Sequence, residues 1–359
     1  MTSRERLHRL HTQKEVDRPG LFIRGVSQTE PPHESYEALR NYVCEHGDLK
    51  DIIGVRWYLE GHDIETECVP HSIDYVKIIS TLRTPSGNLT HERLEGLRGL
   101  PEYDTKHYIE TEEDAEKFLS TPPPVLPPLD ANYFNARVNK MGEHGIVVVQ
   151  FPNPLSYITY LLGSELFALW SIDHRELLHE MIARERDGLL EYIKSCIDAG
   201  IGPYFATQGQ EFLTPPLHGA ADFYDFNVRY DKPIADLIHN ANGYLHVHCH
   251  GPLKNVLPYF LEIGADIEHP IEPPPMGDVT PAEAKAVFRG KACIEGNIQI
   301  GDMYDCEPDE IREQVKTLIR DAFDDRRGLI VCPTASPYIP RAGNCIANYK
   351  VMMDAVLEF

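Results

Sequence analysis

At 359 residues, with 42% apolar and 25% charged side chains, the chain can bury a large core and has the composition of a globular protein. Its formal net charge of -22 argues against nucleic acid or an anionic membrane as the principal partner. No apolar run nears the roughly 20 residues needed to cross a bilayer, and the opening "MTSRERLHRLHTQKEVDRPG" lacks the apolar centre of a secretory signal. The expectation is a cytoplasmic protein. Its eight cysteines form no CxxC and no regular framework, which favours free thiols or a metal ligand over disulfides.

Taken in chain order, "GLFIRG" (20–25) and "IIGVRWY" (52–58) read as strands. A stretch of mixed, aromatic-rich texture follows, and the proline-rich connector "TPPPVLPPLD" (121–130) must be extended. Beyond it, strands and amphipathic helices alternate regularly. "GIVVVQF" (145–151) is a buried strand, and Leu178, Ile182, Leu189, Ile193 and Ile197 mark one face of a helix over 173–199. Asp173 and Glu176 have the spacing of a capping box, and Gly200 ends that helix. Four further strands are predicted at "PYFATQ", "YLHVHCH", "ADIEHPIE" and "ACIEGNI", with "GLIVCPT" completing the set. Helices separate them, including "VTPAEAKAVFRG", where Thr280, Pro281 and Glu283 make a capped start, and the last begins near Asn344.

Eight strands alternating with helices imply parallel pairing and right-handed crossovers. The fold class expected is therefore α/β, a (β/α)8 TIM barrel over 1–359 as a single domain, with 60–144 as an N-terminal insertion or cap over one rim. A doubly wound sheet is the alternative, but neither GxGxxG nor GxxxxGK[ST] occurs.

In such barrels chemistry sits where strands end. His248 and His250 end "YLHVHCH", Glu272 ends "DIEHPIE", Asn297 ends "ACIEGNI" and Cys332 ends "GLIVC". Strand alternation puts His246, His248 and His250 on one face and Cys249 on the other. Two imidazoles, a carboxylate and a thiolate can converge on one tetrahedral zinc ion, so His248, His250, Glu272 and Cys332 are the expected metal ligands. Taken singly, an HxH pair is commonly a hydrogen-bonded polar pair and a cysteine a small buried hydrophobe. Their shared position at one end of successive strands is what favours a site. His246, two residues deeper, is expected to orient a ligand. Glu272 and Asn297 are the expected catalytic groups. Arg24, Gln208, Gln210, Glu211, His218 and Tyr338 are the expected substrate contacts.

The segments "SRERLHRLHTQKEVDRPGLF", "EDAEKFLSTP", "IDAGI" and "HVHCHGPLKNVLPYFLEIGADIEHPIE" resemble the uroporphyrinogen decarboxylase superfamily across nearly the full length. The resemblance is to its corrinoid-dependent methyltransferase branch, such as methyltransferase I of O-demethylase systems and the methanol and methylamine:coenzyme M methyltransferases. It implies a barrel fold, a zinc ion and a corrinoid (cobalamin) carried by a partner protein. Aligning that branch's HxC-glycine on Gly251 puts its histidine on His248, its first cysteine on His250 and its last cysteine on Cys332. The similar glutamate of cobalamin-independent methionine synthase falls on Glu272.

The decarboxylases' arginine-rich RQAGR segment is here "FIRGV", which keeps only Arg24, so porphyrin decarboxylation is not expected. With His250 in place of a cysteine the zinc site carries no net charge, which makes the ion a stronger Lewis acid, suited to an ether or alcohol oxygen. The expected function is transfer of a methyl group from a methoxylated small molecule, a phenyl methyl ether, to the Co(I) corrinoid of a partner protein. A methyl-corrinoid:thiol transferase of coenzyme M type and a tetrapyrrole-binding barrel are the alternatives. No nucleic-acid or membrane partner is expected, and homo-oligomerisation is left open.

Overall fold

The computed structural model describes residues 1–26, 36–55, 57, 59–123, 125–337 and 344–359. The expected substrate contact Tyr338 lies outside them. Among the described residues twelve strands follow in chain order: β1 (Gly20–Leu21), β2 (Leu49–Gly54), β3 (Ile64–Pro70), β4 (Tyr75–Thr84), β5 (Gly87–Gly96), β6 (Tyr103–Lys106), β7 (Gly145–Pro152), β8 (Tyr204–Gln208), β9 (Tyr244–His248), β10 (Ile267–His269), β11 (Cys293–Ile298) and β12 (Leu329–Pro333). The chain divides into two compact units: residues 1–55, 129–151 and 196–359 form the first, and 56–128 with 152–195 the second.

The first unit is built on an eight-stranded sheet in the order β1-β12-β11-β10-β9-β8-β7-β2, with parallel pairing. Its two ends meet: the Asp48 N–H donates to the Leu21 carbonyl at 2.7 Å, and the Leu21 N–H donates to the Asp48 carboxylate at 2.8 Å. The same carboxylate takes Arg6 at 2.6 Å and Arg18 at 2.9 Å. A sheet of eight parallel strands joined edge to edge is the (β/α)8 arrangement. Helices Arg229–Asn240, Leu257–Ile263, Pro281–Phe288 and Pro308–Ala322 supply the crossovers, and Cys345–Leu357 follows β12. Their apolar stripes bury Ile234, Phe260, Phe288, Val315 and Met352 against the outward side chains of the strands.

The start of the Pro281–Phe288 helix is as read from the sequence, with Thr280 and Glu283 forming both bonds of a capping box. Two local expectations shift. The second strand covers 49–54 rather than 52–58, because β2 pairs with β7 from Leu49 onward, and this brings Lys50 into the barrel wall. Asp173 is the last residue of a separate helix, Ser164–Asp173, so the long helix starts at Arg175. Gly200, at φ +80, does follow that helix.

The second unit contains an antiparallel sheet in the order β3-β4-β5-β6 together with helices Pro154–Leu162 and Ser164–Asp173. Here the proposed boundaries of the insertion meet a finer division: 129–144 packs with the barrel, and 152–195 joins the inserted sheet. No single helix among the described residues is long and apolar enough to cross a membrane.

Candidate metal centre

Register decides which strand residues meet. His269 pairs with His248, and the pairing of Glu268 with Ile294 carries on to set Glu295 beside His269. On the next strand Asn297 pairs with Cys332. Parallel partners in register point the same way, so His248, His269 and Glu295 form one level of the wall.

The geometry follows. His269 Nδ1 lies 2.8 Å from His248 Nδ1, and His269 Nε2 lies 3.7 Å from Cys332 Sγ. Glu295 sends one oxygen to the Lys50 ammonium, while the other lies 3.4 Å from His246 Nε2 and has no hydrogen-bond partner. Ligand atoms of His269, Glu295 and Cys332 all fall within 4.8 Å of one another, and all three residues are fully buried.

Burial and charge set the protonation states. Burial, reinforced by the Arg24 charge, holds both His248 and His269 well below the ordinary histidine range, so both are neutral near pH 7. Burial opposes ionisation of Glu295, but Lys50 and then His246 outweigh it and keep the carboxyl well below its usual range. The Cys332 thiol is pushed up by burial and by Glu295, so it is a thiol unless a cation draws off its proton.

These donors fit a zinc-type ion. Nitrogen at about 2.0 Å and sulfur at about 2.3 Å from one tetrahedral ion stand about 3.5 Å apart, close to the 3.7 Å between His269 and Cys332. The unpartnered Glu295 oxygen is a buried acceptor that an ion would satisfy. His269 has two tautomers. One donates from Nε2 to the Pro333 carbonyl at 3.2 Å, and the other donates from Nδ1 to His248. Only the second leaves Nε2 free to ligate, with His248 orienting it.

The structure places the sequence-derived residues as follows. Cys332 lies in the buried trio, and His248 reaches it through His269. His250 and Glu272 pair with each other at 3.2 Å, and Glu272 also accepts the Gly251 N–H at 3.1 Å. His246 Nε2 stands 3.4 Å from Glu295. Asn297 accepts the Ile271 N–H through Oδ1, and its Nδ2 is buried without a partner. Arg24 and Gln150 line the barrel interior with Lys50, His246 and Glu295, and Gln150 donates to Gln208 at 2.8 Å.

Gln210 is turned to Asp231 on helix Arg229–Asn240, at 2.8 Å, Glu211 accepts the Gly209 N–H, and His218 lies 3.8 Å from Asp222. Sequence reasoning missed His269, Glu295 and Lys50. The available signal was a charged or imidazole side chain inside each of three apolar strands, where a buried charge needs a partner.

Fold and donor set define a class: an α/β barrel whose inner face gathers nitrogen, oxygen and sulfur donors at the ends of its strands. Within that class the chain belongs to the uroporphyrinogen decarboxylase (URO-D) family, whose model matches residues 113–359, more than half of its length. Among solved structures it is similar to a methyltransferase from Methanosarcina mazei, at 15% identity and a TM-score of 0.65, covering 100% of this chain and 99% of that one. A muconate lactonizing enzyme from Pseudomonas putida matches at 12% identity and a TM-score of 0.24, covering 82% and 77%. No curated protein sequence matches the chain.

Proposed function

We propose that this protein is a zinc-dependent methyltransferase that moves the methyl group of a methoxylated small molecule, a phenyl methyl ether, to the Co(I) corrinoid of a partner protein. The observation that carries the reading is Cys332: the residue on which the family resemblance sets a thiolate ligand stands 3.7 Å from a buried imidazole and beside a buried carboxylate. The methyltransferase from Methanosarcina mazei, with the same fold, supports the reaction class.

Cys332 is common to two ligand sets. His269 and Glu295 complete the set that the geometry favours, and His248, His250 and Glu272 the one that the resemblance implies. Either gives one thiolate and one carboxylate, which together offset the 2+ charge of zinc without an excess of negative charge, so the ion keeps Lewis acidity. When bound, zinc supplies polarisation of the ether oxygen.

The chain's own residues supply the rest. His248 fixes the His269 ring, Lys50 fixes Glu295, and Arg24 adds positive charge that favours the oxyanion left when the C–O bond breaks with its electron pair on oxygen. Asn297 Nδ2 is a spare buried donor on the same wall. Glu272, held by the Gly251 N–H, stands beside His250 and is placed to exchange a proton with it.

The test is metal content of the purified protein, followed by mixing with a Co(I) corrinoid protein and methoxyaromatics while recording methyl-Co(III) absorbance. One zinc per chain fewer in Cys332→Ser than in the native protein, and methyl transfer from the ether, are expected. Transfer only from methyl-corrinoid to a thiol would replace this reading with the coenzyme M type, and a zinc content unchanged between the native protein and Cys332→Ser would remove its basis. Loss of the ion in His269→Ala but not in His250→Ala selects the first ligand set, and the reverse selects the second.

A further inference from the structure

A second cluster of metal-ligating side chains lies in the inserted antiparallel sheet, wholly within the second unit. Strand β5 pairs with β6 as Glu92 with Lys106 and then Arg93 with Asp104, so Thr105 is an extra residue bulged out of β6. In a regular strand, residues 104 and 107, three apart, would face opposite ways. The bulge resets the alternation and turns both Asp104 and His107 to the face that carries His91.

Their ligand atoms lie within 4.8 Å of one another. His91 is buried, and its Nε2 stands 2.9 Å from Asp104 Oδ1 without hydrogen-bond geometry. His107 Nδ1 is buried with no hydrogen-bond partner. The opposite edge of the His107 ring is pressed against Gly163, where an added Cβ would come within 2.4 Å of Nε2. Tyr108 stacks on His91 at 5.1 Å and Tyr160 stands 5.8 Å from it, walling the cluster on the inside. Asp104, 31% exposed, leaves it open to solvent.

Two buried imidazole nitrogens without a hydrogen bond, facing a carboxylate, are poorly explained by a salt bridge alone. Arg93 and Lys106 are the nearby cations, and they have partners in Glu102 at 3.6 Å and in the Thr90 carbonyl at 2.8 Å.

We propose that His91, Asp104 and His107 bind a divalent transition-metal ion of the zinc class at the β5–β6 bulge, as a site separate from the barrel. Two imidazoles and one carboxylate suit zinc, cobalt(II) or nickel(II) rather than calcium or magnesium. Three protein ligands leave a coordination position for water or a small donor on the open side. The ion ties β6 and the segment after it to β5, where the backbone ladder is interrupted.

Cobalt(II) tests this, because the two sites differ in sulfur. The full-length protein carrying Cys332→Ser is titrated with cobalt(II). One ion per chain is expected, with visible bands of a nitrogen and oxygen site and no thiolate charge-transfer band. Adding Asp104→Asn and His107→Gln should abolish that binding. Should the triple variant fail to fold, Asp104→Asn alone, at the exposed ligand, serves with thermal unfolding as readout: zinc raises the midpoint of Cys332→Ser, and Asp104→Asn removes that rise. Unchanged cobalt stoichiometry after the ligand substitutions, no binding to Cys332→Ser, or a zinc-induced rise that survives Asp104→Asn would each overturn the proposal.

Discussion

Replacing Lys50 by methionine isolates the electrostatics of the barrel wall. Lys50 is 6% exposed and Glu295 fully buried, and the ammonium is the strongest influence keeping that carboxyl ionised. Removing one partner of a buried pair leaves an uncompensated charge and typically costs about 3–5 kcal/mol, whereas replacing both by apolar or neutral groups is often near neutral. Lys50→Met should therefore lower unfolding stability by about 3–5 kcal/mol, roughly two to four decades in the folded-to-unfolded ratio. The double variant Lys50→Met, Glu295→Gln should recover most of the loss. Zinc offers a second compensation: if Glu295 is a ligand, the ion neutralises the stranded carboxylate, so zinc should raise stability more in Lys50→Met than in the native chain. Urea unfolding of chelated and zinc-loaded samples of all three proteins measures these terms. A loss below about 1 kcal/mol, or a double variant as unstable as the single one, would show that the pair is not the buried, mutually dependent element described above.

His11, buried against Leu7 O and the rings of Tyr204 and Tyr244, has its pKa lowered to about 3 by burial and by Lys50. Its folded value lies below the unfolded one near 6.5, so the unfolded chain binds the extra proton. This contribution is complete above about pH 6.5 and is lost as pH falls towards 3, with a slope of up to about 1.4 kcal/mol per pH unit. His11→Asn should flatten the stability profile of chelated protein by up to one proton in that window, and an unchanged slope would contradict the assignment. Gly163, at φ +78 and ψ 158, occupies a region that only glycine tolerates well. Gly163→Ala should cost at least about 1–3 kcal/mol in urea unfolding, because the methyl also meets His107.

Parallel β/α alternation was legible because each barrel strand is a short apolar run bounded by helical periodicity, and register then followed from the fold. The ligand geography was less so. His269 sits mid-segment in "DIEHPIE", and the sequence reading took the final carboxylate, Glu272, as the strand end. The ladder of β10 stops at His269, three residues earlier, which sets His269 level with His248 and leaves Glu272 beside His250. Lys50 escaped for a related reason: beginning the second strand at Ile52 left the lysine in a loop, where a charge needs no partner. The sheet of β3 to β6 was not read as strands, because its exposed polar residues dilute the alternation and a bulge breaks it at Thr105.

Asp48 has a consequence for how the barrel breathes. Strand β1 is two residues long, so its seam with β2 is held by little backbone ladder and by one carboxylate that also gathers Arg6 and Arg18. Removing that single side chain takes away bonds to the first strand, to the helix Ser3–His11 and to Arg18 together. Amide exchange at Leu21 is then a gauge of the whole closure: its protection measures the free energy of opening the cylinder at its weakest stave, ahead of global unfolding.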